Sequence, residues 1–407
     1  MKNTIEQIDK QQCTGCGLCA EKCPKDCILM VEDGEGFRFP QIDFTKCVEC
    51  GLCVRSCPTT SAADTLYSKY GRSYYCGNVK DKEMLIKSSS GGVFGVLAEY
   101  IISIGGYVCG CIYTDDLEAV HTLSNRKQDI EKMYGSKYVQ SRAEHCFPEI
   151  QSHLMEEDIV MFTGTACQIA ALRLYLGKDY SNLYCVEILC HGVPSPGLFA
   201  KYKQYLEKRL GGTVKDIRFR DKRRDGWGSE HRTCIIYEKN GKLCENRPIL
   251  PAYFSAFFYG LNLRESCYQC RFATSERVAD LTIGDFWGSW NKYKKRFHEG
   301  ISVVGVNSEK GYELSENISG RFDFYEVLPE NEAIVSNDNF THPIKRPPER
   351  TCFYDGILSK GYKGLWKKSY LSKSYRRKTL ASIYGAFVPV NIRIMLHIVA
   401  SRLSRKR

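Results

Sequence analysis

Two runs of cysteine share one spacing. Cys13-x2-Cys16-x2-Cys19-x3-Cys23 ends in Pro24, and Cys47-x2-Cys50-x2-Cys53-x3-Cys57 ends in Pro58. Two-residue gaps let a tight loop present three thiolates to three corners of an iron–sulfur cube, and in paired runs the fourth Cys ligates the other cluster. That rule assigns Cys13, Cys16, Cys19 and Cys57 to one 4Fe-4S cluster, and Cys47, Cys50, Cys53 and Cys23 to the other. Gly15, Gly17 and Gly51 suit a backbone that folds closely around the sulfides. Zinc knuckles use four ligands at paired spacings and have no need of a doubled three-plus-one run ending in Pro. Cys27 stands outside the pattern and reads as a packing residue.

Further along, Ile159-Val160-Met161-Phe162-Thr163 reads as a buried strand. Gly164-Thr165-Ala166-Cys167 is a turn, Gln168 to Leu176 a helix stopped by Gly177, and Leu183 to Leu189 a second strand before Cys190-His191-Gly192-Val193-Pro194. A strand–helix–strand unit makes the two strands parallel and brings Cys167 and Cys190 to the carboxyl edge of one sheet, where open α/β sheets bind ligands. Cys267-x2-Cys270 supplies a loop pair, so the four thiolates would suffice for another cluster. Cys185 competes with Cys190 for that role, and zinc remains a rival for the loop pair. Lys87-Ser88-Ser89-Ser90-Gly91-Gly92 leads into an apolar helical stripe. Small residues and hydroxyls there suit either phosphate oxygens or a plain N-cap. Ile217 to Lys222, Asp280 to Gly288 and Gly135-Ser136-Lys137-Tyr138 each place polar groups at a turn. A solvated loop is the plainer reading of each.

The elements that must hold these residues belong to a long chain. At 407 residues with 43% hydrophobic composition, two or three domains with real cores are expected. The opening Met1-Lys2-Asn3-Thr4-Ile5-Glu6 lacks the apolar run of a secretion signal, so the 21 cysteines read as metal ligands and redox groups of a cytoplasmic protein. No run of about twenty uninterrupted apolar residues suggests a spanning helix. The net charge of +11 is unevenly placed: 13 of the 58 Lys and Arg lie in 356–407, which has no acidic residue, leaving 45 basic against 47 acidic groups before it. Within that tail, Ile383, Phe387, Val390, Ile394 and Ile398 recur between basic groups. The pattern suits either a helix lying on an anionic membrane at its inner face or one packed on the body or a partner. A body without a basic face argues against nucleic acid.

Taken in order, Ser89-Ser90-Gly91-Gly92-Val93, Gly135-Ser136-Lys137-Tyr138-Val139, Gly164-Thr165-Ala166-Cys167-Gln168, Cys190 through Ser195, Phe219-Arg220-Asp221-Lys222, Cys267-x2-Cys270 and Asp280 through Gly288 resemble the coenzyme F-420 hydrogenase/dehydrogenase beta-subunit family. The likeness spans residues 75–345 and is greatest to the bacterial branch with a fused N-terminal two-cluster ferredoxin domain. It implies FAD beside a 4Fe-4S cluster, with Cys167, Cys190, Cys267 and Cys270 as ligands. On the same ground Ser89, Ser90, Gly91 and Gly92 become flavin-phosphate candidates and Ser136, Lys137 and Tyr138 flavin-ring candidates, with Thr165 a further contact. The resemblance does not give the substrate.

The expected fold class is α+β: a small bacterial-type ferredoxin domain (1–66), then a mixed α/β body. The body divides into a flavin-binding part (67–155) and a third-cluster part (156–345), with the basic tail at 346–407. The expected activity is a ferredoxin-linked, flavin-dependent oxidoreductase. It would relay electrons between clusters and FAD, with hydride-equivalent transfer to or from a small organic substrate or a deazaflavin coenzyme. A non-catalytic electron-transfer subunit is the alternative, and a redox protein such as ferredoxin the expected partner. His191 would supply the matching proton near neutral pH, or serve as a structural imidazole bonded to a backbone carbonyl.

Overall fold

The computed structural model describes residues 3–362 apart from 225, 228–232, 249–251, 294–295 and 336, so the amphipathic stretch of the basic tail lies outside the described residues. Among the described residues no helix is long and apolar enough to cross a membrane.

The N-terminal module holds two single-turn helices, α1 (Leu18–Glu21) and α2 (Leu52–Arg55), and an antiparallel hairpin of β1 (Ile28–Glu32) with β2 (Arg38–Ile42). Each short helix starts at a glycine in the left-handed region, Gly17 (φ 76°) and Gly51 (φ 74°), so the chain can turn inside each thiolate loop.

An eight-stranded mixed sheet forms the body. Its strands are β3 (Ser73–Val79), β4 (Tyr107–Tyr113), β5 (Ala119–Ser124), β6 (Val160–Thr165), β7 (Leu183–Ile188), β11 (Leu281–Asp285), β12 (Ser302–Val306) and β13 (Phe322–Val327). They lie in the order β13-β3-β12-β11-β7-β6-β4-β5. The centre, β4-β6-β7-β11, is parallel, and the flanks are antiparallel. The strand–helix–strand unit expected from the sequence is present, with the parallel pair β6–β7 joined by α6 (Ala166–Leu176). Val160, Met161 and Phe162 are fully buried, as a strand covered on both faces requires. Thr165 and Gln168 form a reciprocal capping box at the start of α6, and Gly177 in the left-handed region ends it. Strands from both sides of residue 155 interleave in this one sheet, so positions 155 and 156 do not separate two layers.

Helices cover both faces of the sheet. On one, α3 (Val93–Ser103) and α9 (Glu309–Ser319) bury Leu97, Ile101 and Ile318 against Met161, Val186 and Val304. On the other, α5 (Phe147–Met155) and α6 bury Phe147, Ile150 and Ile169 against Phe162. A three-stranded antiparallel sheet of β8 (Thr213–Arg218), β9 (Cys234–Lys239) and β10 (Lys242–Asn246) makes an aromatic second core. It packs with α7 (Pro196–Leu210), α8 (Ala252–Phe258) and α10 (Arg350–Lys360) around Tyr202, Tyr253, Phe254 and Tyr354. The start of the expected tail, residues 350–362, is therefore part of the body: Phe353, Tyr354, Ile357 and Tyr362 are buried there.

The N-terminal module is built into the body. Phe37 of the hairpin is buried in the aromatic core, while Leu18 and Ala63 join the core under α5 and α6. Ser195 Oγ donates to Glu35 O at 2.6 Å, and Arg350 donates to both Glu35 carboxylate oxygens at 3.0 and 2.6 Å. Gly36 lies against Gly197, where a Cβ on Gly36 would fall 2.7 Å from the Gly197 Cα.

Candidate functional site

In the module, Cys13, Cys16, Cys19 and Cys57 line one cavity together, and Cys23, Cys47, Cys50 and Cys53 line another. This is the crossed grouping read from the spacing. Burial pushes the Cys16 and Cys19 thiols up, and the neighbouring thiols of the same set push them further. Cys50, in the second set, is exposed. Cys27 is buried with its Sγ 3.3 Å from that of Cys23, so it packs directly behind the second set.

A third gathering of thiols lies in the body. Cys167 is in the first turn of α6, Cys190 is just past β7, and Cys267 and Cys270 come from a short 3-10 turn and its end. Burial pushes Cys190 well up, with Cys267, Cys167 and Cys270 each adding to the rise. Cys267 is pushed up to about 12 by burial, then by Cys270 and Cys167, and Cys167 to about 11 by burial and Cys270. Cys185 is not among them. It is buried within β7 beside Phe162 of β6, and its amide donates to Asp280 Oδ2 at 2.8 Å. Strand alternation sends the Cys185 side chain into the core, whereas Cys190 lies beyond the strand and is free to turn toward the loop pair.

Zinc holds thiolates at about 2.3 Å, which brings ligand sulfurs within roughly 4 Å of one another. Among the described residues the only group gathered as closely as the ligands of one ion is His153, Glu156 and Asp158, none of it thiolate. The three thiol sets are thus spread more widely than a single ion needs.

Cys167 and Cys190 also line a cavity of about 980 Å³. Of the residues expected to contact a flavin, Ser89, Ser90, Gly92, Ser136, Lys137, Tyr138 and Thr165 all line it, as does His191. Gly91 does not. Its amide donates to Ser302 Oγ at 2.9 Å, and a Cβ there would lie 2.3 Å from Gly77 O, so this glycine lets the loop cross the sheet. The serines do not cap α3. Gly92 is the N-cap, with no side-chain cap, and Ser89 Oγ instead accepts from the Ser136 amide at 2.8 Å, joining the two loops. An uncapped helix start opening on a cavity leaves donors and the positive dipole end for an anionic group.

Lys137 also closes a helix end. Its Nζ donates to the carbonyls of Lys132 and Tyr134, closing the end of α4 (Lys127–Met133), and burial pushes its ammonium down to about 8. Tyr138 packs edge-on against Phe219, Phe254 and Phe257. His191 sits against Phe257, with Nδ1 3.3 Å from Asn339 Oδ1, so its partner is a side-chain amide rather than a backbone carbonyl. Burial pushes its imidazole down.

Arg220 and Asp285, both on the cavity wall, come from motifs read as solvated turns. Arg220 is buried between Trp227 and Trp287 and paired with Asp285 at 2.9 Å, and Asp285 also accepts from Trp227 Nε1. Arg220 has φ 59°, a strained backbone for a side-chain-bearing residue. The mixed charge and aromatics of Phe219–Lys222 and Asp285–Trp287 were the available signal. Gln140 carried none.

Residues 12–61 match the family model of the 4Fe-4S dicluster domain, and residues 158–327 match that of the C terminus of the coenzyme F420 hydrogenase/dehydrogenase beta subunit. The N-terminal module is therefore a 4Fe-4S dicluster domain, and the family recognised from the ordered motifs is the one matched. No curated protein matches the chain. Among solved structures, a chain of the xenon-derivatised F420-reducing NiFe hydrogenase complex from Methanosarcina barkeri is similar at TM-score 0.43 and 16% sequence identity, over 74% of this chain and 92% of that one.

Proposed function

We propose that this chain is an iron–sulfur flavoprotein oxidoreductase with a third 4Fe-4S cluster held by Cys167, Cys190, Cys267 and Cys270 and FAD in the adjoining cavity. The observation that carries the reading is the meeting of four thiols from three separate segments, two of which, Cys167 and Cys190, line that cavity. Its volume of about 980 Å³ is at the upper end for ligand pockets and suits a dinucleotide. Bound there, such groups supply one-electron transfer at the clusters and exchange between one- and two-electron chemistry at the flavin.

The chain's own residues bind, orient and shield. The open start of α3, with the Ser89 hydroxyl, faces where a pyrophosphate would lie. Arg220 is fixed by two indoles and a carboxylate, so its charge stays at one place on the wall. His191, held by Asn339 and Phe257, presents an imidazole beside Cys190 where a proton can be held or passed. Phe257, Phe258 and Trp287 line the cavity and give that part of its wall an apolar surface. The acceptor would be a small organic molecule or a deazaflavin, and the electron donor a ferredoxin-like protein reaching the exposed Cys50 side of the module.

Anaerobic purification followed by iron and flavin analysis tests this. Three clusters require about twelve irons per chain, with one flavin released on denaturation, against about eight for a dicluster module alone. Eight irons and a zinc would refute the third cluster. Turnover of an acceptor by the isolated chain with a chemical reductant separates an enzyme from a non-catalytic subunit.

A further inference from the structure

Arg264 is 1% exposed and lies three residues before Cys267. Its Nε donates to Cys13 O at 2.7 Å, one Nη to Cys13 Sγ at 3.7 Å and to Arg38 O at 2.9 Å, and the other Nη to Gln140 Oε1 at 3.1 Å. Its carbonyl accepts from the Cys267 amide at 3.0 Å, so its backbone belongs to the loop that carries the body pair. One residue thus touches a thiol of the dicluster module with its side chain and the ligand loop of the body with its backbone. Room is made for it at Gly15, where a Cβ would fall 2.6 Å from the guanidinium.

No carboxylate is among the partners of Arg264 in the described residues: they are carbonyls, an amide and a thiol, with the rings of Phe37 and Phe39 on its faces. A buried cation without an anion is strongly disfavoured. Metal-bound thiolates on both sides would supply the missing negative charge.

We propose that Arg264 is a positioning residue that sets the reduction potentials of two neighbouring sites at once, the Cys13–Cys16–Cys19–Cys57 cluster and the body cluster. The second half rests on the third-cluster reading above. Reduction adds negative charge to a cluster, so a fixed cation and a hydrogen bond to a ligand sulfur favour the reduced form and raise the potential. At the Cys23–Cys47–Cys50–Cys53 site Arg55 donates to Cys50 O at 2.9 Å from an exposed position, and among the described residues no guanidinium donates to one of its four sulfurs.

The test is an anaerobic redox titration of the full chain followed by electron paramagnetic resonance, comparing wild type with Arg264→Gln and Arg264→Lys. Signals are assigned through Cys50→Ser and Cys267→Ser, and iron is counted in every sample. In the Gln variant two midpoint potentials should fall while the potential of the Cys50 site stays fixed. The Lys variant should recover part of the shift. Full iron with all three potentials unchanged in Arg264→Gln overturns the proposal, and so do equal shifts in the Gln and Lys variants. If Arg264→Gln loses iron, Gln140→Glu carries the test, because it sets a carboxylate against the intact guanidinium. Lowered potentials then support the proposal and unchanged ones overturn it. Eight irons in the wild type, with a shift at the Cys13 site alone, would refute the third cluster while leaving the action of Arg264 on the module standing.

Discussion

Replacing Arg277 with Met should loosen the third thiol set more than any other part of the molecule. Arg277 and Glu187 form an ion pair with side chains 3% and 0% exposed. Arg277 Nη1 also donates to Phe272 O at 3.0 Å and Thr274 O at 2.8 Å. Those carbonyls belong to the segment that follows Cys270, and Glu187 belongs to β7, which leads to Cys190. The pair therefore ties the loop cysteines to the strand that carries their partner. Without the guanidinium, Glu187 keeps, among the described residues, only the hydroxyl of Thr282, at 2.7 Å, against a buried charge. Removing one member of a buried ion pair costs about 3–5 kcal/mol, a large share of a stability of about 5–15 kcal/mol. The assay is urea unfolding of the full chain followed by circular dichroism, with iron counted on the same samples. The Met variant should unfold at lower urea and carry about four fewer irons, with the dicluster signals intact. A second change, Glu187→Gln, should return part of the lost stability, because it removes the stranded charge. A Met variant within about 1 kcal/mol of wild type and with full iron would refute the reasoning.

Arg350→Met should weaken the hold of the body on the module hairpin, since Arg350 bonds Glu35 and Glu265 from a buried position. Both carboxylates are partly exposed, so the cost is nearer about 1–3 kcal/mol than the full buried-pair figure; faster proteolytic cleavage between module and body is the readout, and an unchanged rate counts against it. Lys222 donates to Ser90 O and Glu299 O, and burial pushes its ammonium down to about 7 against the countervailing pull of Asp285 and Glu299. The unfolded chain holds that proton to higher pH, so between about 7 and the ordinary lysine range stability should rise with pH by up to ~1.4 kcal/mol per unit. Lys222→Met should flatten that slope, and an unaltered slope would dissociate Lys222 from it.

What could be read from the sequence was local. The dicluster pattern is a spacing within about ten residues, and the β6–α6–β7 unit is announced by apolar runs, a capping pair and a stop glycine. Edge placement of Cys167 and Cys190 follows from that unit alone. The choice between Cys190 and Cys185 is open in the sequence because both belong to one strand and the residues just after it. Burial on the inner face of β7 sends Cys185 into the core. The loop serines were read correctly as lying near a helix start, but a periodicity argument could not tell that Gly92, not a serine, is the N-cap. Lys137, a flavin-ring candidate on the cavity wall, also closes a helix end through carbonyls three and five residues before it, a role no motif announces.

The connection between module and body was not legible, because it is made by single residues far apart in the chain. Gly36 meets Gly197, Glu35 meets Arg350 and Cys13 meets Arg264, none with a motif of its own. The sequence suggested a separable N-terminal unit. Its excision would instead strip Phe37, Leu18 and Ala63 from two cores and leave the guanidiniums of Arg264 and Arg350 without those partners. This shared interior also orders the thiol sets. The Cys23–Cys47–Cys50–Cys53 set is at the outer side with Cys50 exposed, and the Cys13 set touches the body through Arg264. Cys16 packs in the same core as Cys167 and Cys270. Thr14, beside Cys13, already lines the large cavity, and its carbonyl accepts from Gln140 at 2.8 Å. A surface-to-cavity order built into packed cores does not depend on a flexible tether. Changes at Gly15 or Gln140 should therefore disturb communication between the sites while leaving each set of four thiols complete.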